Sequence, residues 1–288
     1  MKVTVIGGSG FLGSYVADIL SEQNHKVVIF DKKKSPWLRK NQKIIIGNIL
    51  DFKKLETAIS GSDIVYNFAA LADIEDALKN PIESVKTNIQ GTVHALELCK
   101  IYKIKRFVFA SSIYVYSRDG GFYRCSKQAA ETFVEEYYQL YGLKYTILRY
   151  GSLYGPRSDE SNGLYKIIKK ALKKNVLSYT GDKESRREYI HVEDAARASI
   201  KILDKEFTNQ NLILTGQQSF YVYDVMEMLA EIMGMSKKIK FVKSEKNKGH
   251  YIRTPYSYQS RLARKYIPET HIDLGQGLLQ LIDEIKKK

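Results

Sequence analysis

At 288 residues, 44% of them hydrophobic, the chain can bury one large α/β core with a smaller appendage. Two cysteines, Cys99 and Cys125, are too few for a disulfide framework, no apolar stretch reaches the length of a membrane span, and no leader precedes the first strand-like run, so a soluble protein of a reducing cytoplasm is expected. The net charge of +14 comes from lysines scattered over most segments; no aromatic-and-basic recognition motif accompanies it, which reads as a solvated surface with no nucleic-acid partner.

Short β-branched or aromatic runs alternate with helix-length segments. Strands are predicted at "KVTVI", "KVVIF", "KIIIG", "DIVYNF", "KRFVFASS" and "KYTILRY", and helices beginning near Phe11, Phe52, Ile82, Tyr123 and Asn162. This alternation implies a parallel sheet covered on both faces, a doubly wound α/β fold over residues 1–150. At "YGSLYGPRSDESNG" the pattern weakens and a smaller mixed region, 151–288, begins. Within it, "HVEDAARASIKIL" and "NLILTG" can return a helix and a strand to the main sheet, and "LGQGLLQLIDEIKKK" reads as a closing amphipathic helix.

The first strand runs into "GGSGFLG", which places Gly7, Gly10 and Gly13 directly before a helix. Such a turn lets a diphosphate approach the helix N-terminal N–H groups, and the third glycine lets the helix lie close to the strand. Asp31 ends the next strand, where a carboxylate accepts both ribose hydroxyls of an adenosine and repels a 2′-phosphate. The expected ligand is a dinucleotide, NAD in preference to NADP, although Lys32, Lys33 and Lys34 put cations beside that carboxylate.

"SSIYVYSRDGGFYRCSK", residues 111–127, holds the chemistry. Tyr123 and Lys127 fall four apart on one helix face, so an ammonium can favour the phenolate of a group with a reference pKa of about 10. Such a tyrosine removes a hydroxyl proton while hydride leaves the same carbon. Ser112, at the C-terminal end of its strand, can hydrogen-bond the same oxygen.

With these motifs in this order, the sequence resembles the extended short-chain dehydrogenase/reductases, in the NAD-dependent epimerase/dehydratase branch that acts on nucleotide sugars. The resemblance covers nearly the whole chain and implies a Rossmann-type NAD-binding domain over 1–150 and a mainly substrate-binding region over 151–288. It implies that Gly7, Gly10, Phe11, Leu12, Gly13 and Asp31 hold NAD, joined by Asn48 and Ile49 in "GNILD" and by Phe68, Ala69 and Ala70 in "NFAALAD". Asn88 in "TNIQGT", Ala110, Tyr123, Lys127 and Tyr150 complete that set, while Ser112, Tyr123 and Lys127 are the implied catalytic residues. Ser152 in "LRYGSLYGPR" and Arg187 in "GDKESRREYIHVEDAARA" fall, with Ser112 and Tyr123, in the segments that meet a nucleotide-linked sugar. In that reading Arg187 grips the diphosphate and Arg186 is a solvated surface charge. No metal is implied.

Departures from the family pattern narrow the reaction. Ile113 and Tyr114 stand where 4,6-dehydratases carry acidic residues, and Ile113 also stands where the epimerases of GDP-fucose synthesis carry cysteine. Oxidation at a ring carbon, C4, is left, the ketone being either re-reduced as in a 4-epimerase or released as by a 4-dehydrogenase. Only Ser117 to Phe122 separate Tyr116 from Tyr123, a much shorter loop than relatives carry, which suits a bulkier sugar such as a GDP-heptose. "HYIRTPYSYQSRLARK" resembles the family's nucleotide-contacting region only loosely, so the base is left open. The alternative is a non-catalytic NAD-binding sensor on the same scaffold. A homodimer or higher homo-oligomer is expected through the helices near Ile82 and Tyr123, which carry Val93, Leu96 and Leu98 on one and Phe133, Val134 and Leu140 on the other.

Overall fold

A computed structural model describes residues 1–235, 239–242, 252, 264–266 and 270–287. In the first half, β1 (Lys2–Ile6), α1 (Phe11–Glu22), β2 (Lys26–Asp31), β3 (Gln42–Ile46), α2 (Phe52–Ile59) and β4 (Ile64–Asn67) follow the hydrophobic runs. α3 (Ile74–Lys79) and α4 (Pro81–Ser84) lead through a π-helical turn, Val85–Gln90, into α5 (Gly91–Ile101). β5 (Arg106–Ser112), a 3-10 turn (Ile113–Tyr116), α6 (Gly121–Tyr141) and β6 (Tyr145–Tyr150) complete this half. The C-terminal half holds β7 (Ser152–Tyr154), α7 (Gly163–Lys174), β8 (Leu177–Thr180), β9 (Arg186–Arg187), β10 (Tyr189–His191) and α8 (Val192–Lys201). It continues with β11 (Gln210–Leu214), β12 (Phe220–Tyr221), α9 (Val222–Ile232), β13 (Ile239–Val242), β14 (Arg264–Lys265) and α10 (Leu274–Lys287).

Among the described residues the central sheet is parallel and eight-stranded, in the order β14-β11-β6-β5-β4-β1-β2-β3. Strand order reverses between β1 and β4, the position where doubly wound sheets open a ligand crevice beyond their C-terminal strand ends. "NLILTG" supplies β11, paired to β6, and α8 packs on α1. Strands buried on both faces form two cores: Val3, Val5 and Ile29 with Leu12, Val16 and Ala195 on one side, and Val65, Phe107 and Phe109 with Leu55, Leu96 and Val134 on the other. Each valine, leucine, isoleucine or phenylalanine among them contributes about 1.5–3 kcal/mol by leaving water. A third core joins α7, α9 and α10 around Ile168, Leu229 and Leu278.

Two boundaries differ from expectation. Near Ile82 the chain first makes α3, because Asp73 caps it by accepting from Asp76 N at 3.0 Å, and α4 then restarts with Pro81 in its first turn. α6 begins at Gly121, two residues before Tyr123, after Gly120 has turned the chain at φ +94°. Of the apolar residues expected to pair subunits, Leu96, Leu98 and Val134 are buried in this chain's own core and Val93 is half-buried, whereas Phe133 and Leu140 are exposed.

Candidate active site

The glycine turn is shaped by close approach. Gly7 takes φ +79°, and a Cβ there would lie 2.6 Å from Ala69 N; a Cβ on Gly13 would lie 2.3 Å from the Gly7 carbonyl oxygen. These contacts seat the start of α1 against the end of β1; Gly10 N donates to the Gly7 carbonyl at 3.1 Å, which leaves Phe11 and Leu12 to present first-turn N–H groups, the donors and dipole that suit a diphosphate. Asp31 is already anchored, Oδ2 accepting from Ser9 N at 2.9 Å and Oδ1 from Lys33 N at 3.2 Å. The carboxylate therefore braces the glycine turn, and each oxygen keeps a lone pair that a ribose hydroxyl can use. Lys32, Lys33 and Lys34 are exposed.

Other residues expected at the cofactor divide into two groups. Exposed Asn48 makes a local turn to Leu50 N at 3.1 Å, half-buried Phe68 and Ala69 lie directly against Gly7, and Ala70, also half-buried, follows them. Ile49, by contrast, is buried under Gly91 of α5, and the Tyr150 hydroxyl bonds Ser199 Oγ at 2.6 Å inside the core. The side chains of Ile49 and Tyr150 thus support the scaffold, and the Ile49 carbonyl lies 3.3 Å from His94 Nδ1. Asn88 is also occupied: Oδ1 accepts from Leu71 N at 2.7 Å, and Nδ2 donates to Leu71 O at 3.2 Å and to Ser126 Oγ at 2.8 Å. It clamps the loop after β4 to α6.

Ser112, Tyr123 and Lys127 are brought together. Ser112 closes β5, caps the 3-10 turn by accepting from Tyr114 N at 3.3 Å, and hydrogen-bonds the Tyr123 hydroxyl. Lys127 is buried with Nζ donating to the Ala110 carbonyl at 2.7 Å, 4.8 Å from the Phe109 ring centroid and 6.0 Å from that of Tyr123. Burial pushes the Tyr123 phenol up to about 12, against the pull of Ser112, and lowers Lys127 to about 8, against the attraction of Glu131. The sequence predicts a phenol made more acidic by Lys127; in this arrangement burial raises it instead, and Ser112 is the group that pulls the other way.

The short crossover depends on paired glycines. A Cβ on Gly120 would meet Tyr114 Cδ1 at 2.7 Å, and one on Gly121 would meet Leu78 Cδ2 at 2.6 Å. Tyr114 packs edge-on against Tyr123, with centroids 6.3 Å apart, and Ile113 is buried against Ile213. Neither position after Ser112 presents a carboxylate.

Toward the substrate side, β7 leaves the crevice two residues after Tyr150, the register partner of Ser112. Ser152 N donates to Glu188 O at 3.2 Å, which sets Ser152 beside the strand that follows Arg187. Arg187 is buried, with Nη1 donating to the Arg186 carbonyl at 2.9 Å. Arg186 is not a solvated charge: it is half-buried, with its guanidinium 3.9 Å from the Tyr221 ring centroid. The arginine of "YGPR", Arg157, turns toward α1, donating to Asp18 Oδ2 at 2.8 Å and stacking on Tyr15 at 4.2 Å. Most of "HYIRTPYSYQSRLARK" lies outside the described residues.

Two features escaped the sequence reading. Asn162, read only as a helix start, caps α7 by accepting from Tyr165 N at 3.2 Å and donates to the Leu153 carbonyl at 2.7 Å, tying α7 to β7. Beneath Lys127, Glu131 forms a buried bidentate pair with Arg149 at 2.9 and 2.6 Å, and Arg149 also donates to the Tyr116 hydroxyl at 2.5 Å. The spacing of Lys127 and Glu131 was available as a signal; the β6 arginine that completes the pair was not.

The model of the NAD dependent epimerase/dehydratase family matches residues 3–214. The chain belongs to this family. Among its relatives, a UDP-N-acetyl-alpha-D-glucosaminuronate decarboxylase of Bacillus cytotoxicus is 29% identical over 85% of this chain and 84% of its own length. The structure of a Thermotoga maritima UDP-glucose 4-epimerase with UDP-glucose is similar at a TM-score of 0.86 and 27% identity, covering 100% of this chain and 99% of that one. A Bacillus cereus UDP-glucuronic acid 4-epimerase in complex with UDP-glucuronic acid and NAD is similar at 0.87 and 26%, with the same coverage. This NAD-dependent family of nucleotide-sugar epimerases and dehydratases therefore includes the chain, while its named relatives differ in the reaction they perform.

Proposed function

We propose that the protein oxidises the C4 hydroxyl of a nucleotide-linked sugar with NAD and returns the hydride to the other face, acting as a 4-epimerase. The observation that carries this reading is the meeting of Ser112, Tyr123 and Lys127 at the end of β5, with Ile113 and Tyr114 in place of any acid beside them. Ser112 orients the sugar hydroxyl, Tyr123 takes its proton, and Lys127 holds positive charge beside the phenol. NAD, when bound, supplies the hydride acceptor, and Gly7 to Gly13 with Asp31 are the groups that hold it. Two 4-epimerases with the same fold over the whole chain support the outcome. A second reading, release of the 4-ketosugar by a dehydrogenase, rests on the short segment between Tyr116 and α6, which places little chain beside a bulkier sugar or a departing ketone.

The test is a panel of UDP-, GDP- and dTDP-sugars incubated with NAD, products being read by NMR and mass spectrometry. A C4 epimer with catalytic NAD supports the first reading; a ketosugar with one NADH formed per turnover supports the second. Tyr123→Phe should lower turnover by about 10² or more. Arg187→Ala should cost about 2 kcal/mol in kcat/KM if a guanidinium grips the diphosphate. No change at C4 in any nucleotide sugar, or equal turnover of the free sugar, would sink the assignment.

A further inference from the structure

The loop of residues 32–41 runs on directly from Asp31, the carboxylate assigned above to the adenosine ribose. It is fastened at both ends. Near its start the Lys33 carbonyl accepts from Ser9 Oγ of the glycine turn at 2.8 Å. Near its end Arg39 Nε donates to Asp18 Oδ1 of α1 at 2.9 Å, and Arg39 Nη1 donates to Glu22 at 2.8 Å. Buried Gln42, which opens β3, donates from Nε2 to the same Asp18 oxygen at 3.0 Å. Between these anchors stands half-buried Trp37, the single tryptophan of the chain, with its ring facing the Arg157 guanidinium at 5.2 Å.

Arg157 comes from the other half of the molecule, in the turn that follows β7. Its backbone is left-handed at φ +65°, uncommon for a residue that bears a side chain, and its N–H donates to Glu284 Oε2 of α10 at 2.6 Å. From that seat the guanidinium reaches α1 with both arms, Nη1 donating to Ser14 Oγ at 3.2 Å and Nη2 to Asp18 Oδ2 at 2.8 Å. Asp18 is 4% exposed and is shared: one oxygen holds the loop and the other holds Arg157. Strained backbone that fixes a bridging side chain is the kind of feature that functional sites retain. We propose that Arg157 is a positioning residue for the cofactor: from the C-terminal region it fixes, through Asp18 and Trp37, the loop beside the ribose site, so that NAD binding and the docking of that region are linked. The link depends on NAD and its ribose at Asp31, and not on which sugar reacts.

Arg157→Gln removes the clamp yet leaves Asp18 with Arg39 and Gln42, and Trp37→Ala removes the loop's side of it without stranding a buried charge. ADP-ribose carries the adenosine end of NAD without the nicotinamide. Calorimetry should show it binding about tenfold more weakly to both variants, a loss ordinary for linked sites. Amide exchange of the unliganded proteins, read by mass spectrometry, should quicken over residues 32–41 in both variants and stay unchanged in β1 and β4, a pattern that general destabilisation would not give. In Arg157→Gln the emission of Trp37 should move to the red as the indole gains water. Arg157→Lys, which keeps a charge for Asp18, should recover part of the lost affinity. Wild-type affinity for ADP-ribose in either Arg157→Gln or Trp37→Ala, or a loss without faster exchange over 32–41, overturns the proposal. The same shifts in a protein inactive on every nucleotide sugar would leave it standing and reject the sugar assignment instead.

Discussion

Asn88 Nδ2 lies 2.8 Å from Ser126 Oγ, and that one contact joins the π-helical turn before α5 to the helix carrying Tyr123 and Lys127. π-Helical insertions recur at functional sites because the wider turn re-aims a side chain, and here it aims a fully buried amide. Asn88→Ala would leave Leu71 N, Leu71 O and Ser126 Oγ each short of a partner. The expected loss is about 2–3 kcal/mol of stability, read by denaturant unfolding, with a weaker NAD affinity because the loop after β4 loses its clamp. Native stability in this variant would show that water or a neighbour replaces the amide without cost.

Asp31 has two tasks, bracing Ser9 of the glycine turn and meeting an adenosine ribose. Asp31→Ala is expected to weaken NAD roughly tenfold and to narrow its advantage over NADP, since the variant no longer repels a 2′-phosphate and Lys32 to Lys34 remain. Calorimetry with both nucleotides checks this. A wild-type preference for NADP would contradict the reading of the carboxylate.

Lys127 gives the unliganded protein a pH signature. Its folded pKa of about 8 lies below the ordinary lysine value of 10.5, so between those two pH values the unfolded chain binds more protons than the native one. Stability contributed by this group therefore rises with pH through that window, by at most about 1.4 kcal/mol per pH unit, and is level below it. Lys127→Met should abolish the rise. The check is the difference between the two proteins' unfolding free energies from pH 7.5 to 9.5, a window chosen to stay below the tyrosine titrations. Parallel curves would mean that the ammonium is not desolvated.

Phe133 and Leu140 of α6 are 42% and 63% exposed, Ile101 of α5 is 53% exposed, and Ile82 and Val85 before it are 71% and 53% exposed. Burial of such side chains against a second copy of the chain is the expected arrangement, a homodimer through α5 and α6. Phe133→Glu with Leu140→Glu should convert a dimeric mass in light scattering to a monomeric one while leaving the circular dichroism unchanged. A wild-type mass of one chain at all concentrations would reject the pairing.

Sequence by itself determined the doubly wound architecture, because strand and helix periods are local and the glycine turn before α1 is needed where Gly7 passes Phe68 and Ala69 and Gly13 lies against Gly7. It also placed Ser112, Tyr123 and Lys127 together, since a strand end and a four-residue helix spacing are short-range geometry. Which side chains were free to act was decided in three dimensions. Asn88, Tyr150 and Arg157 sit in segments that read as ligand contacts, yet they are committed to Ser126, Ser199 and Asp18, partners 38, 49 and 139 positions away. The direction of the Lys127 and Tyr123 shifts was likewise settled by tertiary packing: burial at α6 raises the phenol and lowers the ammonium, and the Glu131–Arg149 pair exists only because β6 runs beneath that helix.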